Sequence, residues 1–295
     1  MQQNTLDVPI LFLIFNRPDT TKTVFSQIKK FRPKRFFIAA DGPRAGMEGE
    51  LEKCVEARSI INDIDWECDL KTLFREKNLG CKVAISSAIN WYFDNVEEGI
   101  IIEDDCLPSS SFFNFCKELL LKYRDDPRIM SISGTNVLKE WISASRSYFF
   151  SHYGGIWGWA SWRRAWALYD VNMSYWNRRS SRKKIKDQLA DKEQWEAIVK
   201  IFNQVAAGKV NTWDFQWVFT IMLNSGLSII PSKNLVSNIG WQVNATHTNA
   251  DNEYFSNLTS YEIEFPLKEN NDVVADALFD RRHAELGYLP KKNSK

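Results

Sequence analysis

Through the first 135 residues, short apolar runs alternate with amphipathic ones, and this alternation constrains the fold more than any other feature of the chain. VPILFLIF (8–15), RFFIAA (35–40), LKTLFRE (70–76), GIIIE (99–103) and RIMSISG (128–134) read as strands. Between them, PDTTKTVFSQIKKF (18–31), EGELEKCVEARSIIND (48–63), CKVAISSAINWYFDN (81–95) and SFFNFCKELLLKYR (111–124) read as helices. The first is opened by Pro18, which suits a first helical position. Strands alternating with helices predict βαβ units, hence an α/β fold with a mostly parallel central sheet flanked by helices.

The second half of the chain reads differently. It is rich in tryptophan and has longer loops. It carries two expected helices, DKEQWEAIVKIFNQVAAG (191–208) and DFQWVFTIMLNSG (214–226), and two extended pieces, LSIIP (227–231) and NLVSNIG (234–240). A polar stretch after residue 250 ends in an expected helix at 273–287. With 295 residues, the chain has room for one large domain or two interlocked halves. The division expected is 1–135, 136–250 and a tail over 251–295.

Lys+Arg 38 against Asp+Glu 37 leaves a net charge of +1, which argues against a dedicated nucleic-acid binder. The apolar run at 8–15 is far short of the roughly 20 residues of a membrane-spanning helix, and it lacks the flanks of a signal peptide. A cytoplasmic protein is expected. Cysteines 54, 68, 81, 106 and 116 form no C-x-x-C pair, so buried reduced thiols are expected rather than disulfides or a zinc site.

Chemistry concentrates at the strand ends, where open parallel sheets bind ligands. The fourth strand ends in three consecutive acids, Glu103, Asp104 and Asp105. Adjacent carboxylates repel, so they call for a counter-charge. A hard divalent cation such as Mn²⁺ or Mg²⁺, itself holding phosphates, supplies one. A solvated acidic turn before the next helix is the other reading. The first strand runs into Phe15, Asn16 and Arg17, the second into Asp41, and the third is followed by Arg75 and Asn78. Each alone reads as an ordinary loop residue; together they line one sheet edge with groups suited to a nucleotide diphosphate. No G-x-x-x-x-G-K-[ST] and no G-x-G-x-x-G follows the first strand, so neither a P-loop nor a dinucleotide fingerprint is present.

The ordered segments PILFLIFNRP, IAADGP, KNLG, IIIEDD, FFNF, GGIWGWASWRRAW, TWDFQW and NIGWQVNATHT resemble the GT-A glycosyltransferases. Their closest likeness is to the N-acetylglucosaminyltransferase I-like branch and its bacterial relatives, and it covers about residues 8–248. The resemblance implies a GT-A fold, Rossmann-like, of the nucleotide-diphospho-sugar transferases. It implies a nucleotide-sugar half (1–135) and an acceptor half (136–250). It also implies a UDP-linked donor, a Mn²⁺ or Mg²⁺ ion, inversion at the anomeric carbon, and a glycan or lipid-linked saccharide as acceptor. Asp105 would be the metal ligand and His247 would reach back to the metal or the diphosphate. Glu103 and Asp104 would face ribose and donor sugar. Phe15, Asn16, Arg17, Asp41, Arg75 and Asn78 would hold the nucleotide.

Where that branch has a Trp-Asp-Asp-Trp motif, this chain has WDFQW (213–217) with a single acid. Asp214 is then the candidate base, or else only a cap for the helix it opens. The departure keeps alive a second function class, a catalytically inactive carbohydrate-binding or scaffold protein. Trp157, Gly158 and Trp159 are candidate sugar contacts in a glycine-flanked loop, with core packing as the alternative. Trp162 and Trp166 are expected in the core on one helix face. The basic cluster Arg178, Arg179, Arg182, Lys183, Lys184 and Lys186 is either a solvated helix face or a contact with the inner, anionic face of a membrane.

Overall fold

Strand β1 (Ile10–Ile14) is buried along its whole length, as expected of a strand covered on both faces. The computed structural model describes residues 5–142, 144–240, 254, 258–287 and 289. β1 pairs in parallel with β2 (Arg35–Ala40) on one side and β4 (Glu98–Glu103) on the other. β2 in turn pairs in parallel with β3 (Asp69–Phe74). The connections are helix α1 (Pro18–Phe31), helix α2 (Glu50–Arg58) with a following 3-10 turn, and helix α3 (Gly80–Asn95). After β4 come the short strand β5 (Cys106–Pro108), helix α4 (Ser110–Lys122) and β6 (Ile129–Ser133).

The rest of the chain supplies β7 (Tyr148–Ser151), β8 (Trp159–Trp162), α5 (Arg163–Trp166), α6 (Arg179–Lys186), α7 (Lys192–Ala206), α8 (Asp214–Leu223), β9 (Leu227–Pro231), β10 (Val236–Asn238) and α9 (Ala277–Gly287). One eight-stranded sheet runs β3-β2-β1-β4-β8-β6-β9-β7, while β10 pairs with β5 in a small second sheet. Four of the seven pairings in the large sheet are parallel. β8 runs antiparallel to both its neighbours and β7 closes the far edge antiparallel to β9. The fold is α/β, with a mostly parallel sheet flanked by helices.

The two-residue period of a strand sorts side chains between two layers. Ile10, Phe12, Phe36, Ile38, Ile100 and Ile102 face one layer with helices α1 and α4. Leu11, Leu13, Phe37, Ala39 and Ile101 face the other, with α3 and a cluster of Trp159, Trp166, Trp213 and Trp217. Trp162 and Trp166 are both buried, but not on one helix face. Trp162 stands in β8 and packs in the first layer, whereas Trp166, on α5, packs in the second.

The basic cluster forms α6, which buries Ser181 and Ile185. Arg178 lies 4.3 Å over the Tyr175 ring and Arg182 4.6 Å over Trp176, so two of its cations serve packing. Helix α9 docks through Asp280, which accepts from Ser151 Oγ and the His152 backbone and pairs with His152 Nδ1 at 2.9 Å. Among the described residues, no helix is long and apolar enough to cross a membrane.

Candidate active site

The carboxyl ends of β1, β2, β3 and β4 open into one cleft of about 550 Å³. Its floor is apolar, made by Leu13 and Ala39 from the strands and Cys81, Ala84, Ile85 and Ala88 from α3. The small side chains of Cys81, Ala84 and Ala88 leave the space open. Its rim is polar and carries Asn16, Arg17, Asp41, Arg44, Arg75, Asn78 and the acids 103–105.

Two of the three acids are already engaged. Asp104 is 7% exposed and accepts the Phe15 backbone N–H at 2.9 Å. Burial, and next the charge of Asp105, push its carboxyl up to about 7, against the pull of Arg17. Asp105 accepts from Arg17 Nη1 at 2.6 Å, and the same nitrogen stands 3.9 Å from Asp104. Arg17 therefore supplies part of the counter-charge the triplet needs, instead of pointing freely at an anion. Glu103 closes β4. Its Oε1 is buried without a hydrogen-bond partner. Burial, then Asp105, Asp104 and Asp214, raise its pKa well above the usual carboxylate range.

Other expected nucleotide contacts hold the site together from within. The Asp41 carboxylate accepts the backbone N–H groups of Gly42, Leu79 and Gly80, which closes the start of α3. Asn78 donates to the Gly42 carbonyl and accepts from Gly80. Asn16 donates to Glu50 at 2.8 Å. Arg75 donates to Ser87 Oγ at 2.7 Å and, among the described residues, has no ion-pair partner, so its charge is available to a ligand.

Glu50 and Arg58, which no motif marks, brace the rim from behind. Glu50, 4% exposed, receives the Arg44 guanidinium and backbone as well as Asn16, and the Arg44 hydrogen bond lowers its pKa most. Arg44 also sits 5.8 Å from the centre of the Phe15 ring. Arg58 ties the carbonyls of Asp41 and Arg75 together. The turn DGPR and the acid-rich helix start were visible in the sequence, but their mutual pairing was not. Cys81 departs from the expectation of buried thiols. It is solvent-accessible at the cleft, and burial of its surroundings, then Glu103, Asp214 and Asp41, push the thiol up to about 12.

The second half of the chain closes the cleft with Trp157, Asn211, Asn238 and Gly240. Trp157 is at the cleft as expected, but Trp159 is not. It lies in β8, fully buried, stacked on Trp213 at 5.7 Å, and is therefore a core residue. Gly158 is required by packing: its φ is +61°, and a Cβ there would stand 2.9 Å from Val236. Asp214 is the first residue of α8, after Trp213 at the cap position. Its carboxyl pairs with Thr212 Oγ1. Burial raises its pKa above the ordinary value, against the Thr212 bond. His247 lies outside the described residues.

No protein-family profile matches the chain, and no curated protein is similar to it. Among solved structures, S. aureus TarS (residues 1–349) aligns with 78% of this chain and 60% of its own, at a TM-score of 0.42 and 10% identity. HddC from Yersinia pseudotuberculosis aligns with 58% of this chain and 84% of its own, at 0.34 and 9%. The inositol-1-phosphate CTP transferase of T. maritima aligns with 59% and 77%, at 0.35 and 10%. The chain thus spans about three fifths of the TarS structure.

Proposed function

We propose that the protein is a metal-dependent, inverting glycosyltransferase of the GT-A kind. It would move a sugar from a nucleotide-diphosphate donor, UDP-linked, to a hydroxyl of a glycan or lipid-linked saccharide. The observation that carries this reading is one cleft that joins an apolar floor to Arg17, Arg75, Glu103 and Asp105 on its rim. A flat base suits the floor, and a diphosphate suits the cationic and acidic rim.

A hard cation keeps several waters and takes one or two carboxylates plus phosphate oxygens. Among the described residues, no three Asp, Glu, His or Cys side chains converge into a metal cage. Asp105, on the cleft rim, fits the one-carboxylate arrangement, and the unpartnered Glu103 Oε1 marks a place short of a ligand. The cation, when bound, would neutralise charge on the departing diphosphate. The rest falls to the chain. The acceptor oxygen attacks the anomeric carbon as the bond to the diphosphate oxygen breaks, and the electron pair leaves with that oxygen. The hydroxyl proton passes to Asp214, whose pKa burial raises above the ordinary carboxylate value. Arg75 offers positive charge to the leaving group, while Arg17 offsets the acids beside it.

A thermal-shift series with UDP, GDP and CMP, each with and without Mn²⁺, tests this. Stabilisation by one nucleotide that needs the ion, and loss of that need in Asp105→Ala, is the expected result. Asp214→Asn should keep nucleotide binding and lower transfer by about 10²–10⁴-fold, the usual range for a general base. A carbohydrate-binding scaffold would answer to sugars with no metal-dependent nucleotide response, and that result would end the enzyme reading.

A further inference from the structure

Asp214 opens α8 and belongs, with the loop before it, to the second half of the chain, whereas the cleft is built mainly by the first. Something must set the two in register. Asn211 does so by hydrogen bond. Its Oδ1 accepts the Lys82 backbone N–H at 3.1 Å, across 129 residues of sequence. That N–H belongs to the first turn of α3, where backbone donors have no partner within the helix. The N–H groups of Leu79 and Gly80 go to Asp41. The start of α3 is thus closed from two directions, by Asp41 from the end of β2 and by Asn211 from the Asp214 loop.

The surrounding geometry is built for this contact. Gly80 has φ +76°, and a Cβ there would stand 3.0 Å from Asn211 Nδ2, so a glycine lets the amide lie close against the helix start. Because Oδ1 faces an N–H, the orientation of the amide is fixed by that bond. The loop itself is held stiff. The Thr212 carbonyl accepts from Gln216 Nε2 at 2.7 Å and the Trp213 carbonyl from Tyr169 Oη at 2.9 Å. Thr212 Oγ1 bonds the Asp214 carboxyl. A displacement at Asn211 is therefore passed to Asp214 instead of being absorbed between them.

We infer that Asn211 is a positioning residue: by pinning the Asp214 loop to the first turn of α3, it sets the base against the donor bound in the nucleotide half. The inference rests on the proposed role of Asp214. Misplacing a reacting group by about 1 Å costs on the order of 10²-fold in rate, so the pin matters for turnover far more than for folding.

Two variants test it. Asn211→Ala removes the acceptor. Asn211→Asp keeps an oxygen for the Lys82 N–H and places a negative charge at a helix start, which favours it. Amide hydrogen exchange at Lys82 and across 213–216 should quicken in Asn211→Ala and return toward the parent rate in Asn211→Asp. With the donor selected by the nucleotide screen, Asn211→Ala should lower kcat about 10–100-fold while nucleotide Kd stays within about twofold, and Asn211→Asp should recover most of the loss. A merely structural role predicts a different pattern, with kcat and nucleotide affinity falling together, and that result overturns the inference. So does a kcat in Asn211→Ala within about twofold of the parent. Asp214→Asn separates the two failures. If it retains transfer, the base reading falls and takes this one with it. If it abolishes transfer while Asn211→Ala turns over normally, only the positioning role falls.

Discussion

Gly240 stands where a Cβ would lie 2.4 Å from Asp105 Oδ2 and 2.9 Å from Arg17 Nη1. The neighbouring Ile239 N–H donates to the Asp105 carbonyl at 2.8 Å, which holds the segment in place over the ion pair. A methyl group at 240 must therefore push one partner of the Arg17–Asp105 pair aside. Asp105 Cβ lies 2.8 Å from the same position and cannot rotate away, so Gly240→Ala should cost about 1–3 kcal/mol of stability, the usual range for overpacking. It should weaken Mn²⁺-dependent nucleotide binding about tenfold or more. Titration calorimetry checks this, and unchanged affinity would show that the pair plays no part in the nucleotide site. At this scale, sequence tells which residue types gather at the strand ends but not where they point. Asp41, Asn16 and Asn78 lie at the cleft as their positions suggested, yet their polar atoms are spent on the backbone of neighbouring loops or on Glu50. Asn211 left no sequence signal at all, because its partner lies 129 residues away.

Elements of the first half were legible because their apolar residues repeat with a clear period and their ends are marked by turns. β1, β2, β4 and α1 lie within two or three residues of their expected bounds. β7 and β8 were not visible. Each is four residues long, too short for alternation to register, and β8 sits among glycines and tryptophans that read as a loop. This is why the sequence leaves Trp159 open between a sugar contact and the core. The last helix, α9, was legible, but its means of attachment was not. His283 is buried on it, stacked against Tyr153 at 5.0 Å, and burial pushes its pKa down to about 4, with the Asp280 charge opposing. Between about pH 4 and 6.5 the folded ring stays neutral while the unfolded one takes up a proton. Its contribution is therefore complete above the unfolded value of about 6.5 and is lost as pH falls toward 4. At pH 5 the loss is about 2 kcal/mol by linkage. Urea melts of the parent and His283→Phe at pH 7.5 and pH 5 should show the parent losing about that much more than the variant. Equal losses would mean that the imidazole is already solvated in the folded protein.

The large sheet joins both halves of the chain. β8, from the second half, is inserted between β4 and β6, and β9 and β7 extend the sheet beyond them. The two expected halves, 1–135 and 136–250 of one domain, thus share a continuous hydrogen-bonded ladder. The sequence could not reveal this, since the order of strands in space depends on pairings between distant segments, and β8 itself was hidden. The second layer of the core is likewise shared: Leu11, Phe37 and Ile89 pack in one cluster with Trp159, Trp213 and Trp217. Cutting such a cluster exposes large aromatic faces on both sides, so the unfolding of one half strips the other of part of its core. The molecule should unfold in one transition by calorimetry, with calorimetric and van't Hoff enthalpies agreeing. A nucleotide bound only at the β1–β4 ends should then raise the stability of every element, including the distant α9. At a hundred times its Kd it adds about 2.7 kcal/mol, which for a chain of this length moves Tm by about 4 °C. The decisive measurement is amide exchange along α9 with and without the nucleotide, under conditions where exchange proceeds through global unfolding. Slowing in α9 equal to that in β1 supports one cooperative unit. Slowing confined to the first half would show that the halves unfold separately in spite of the shared sheet.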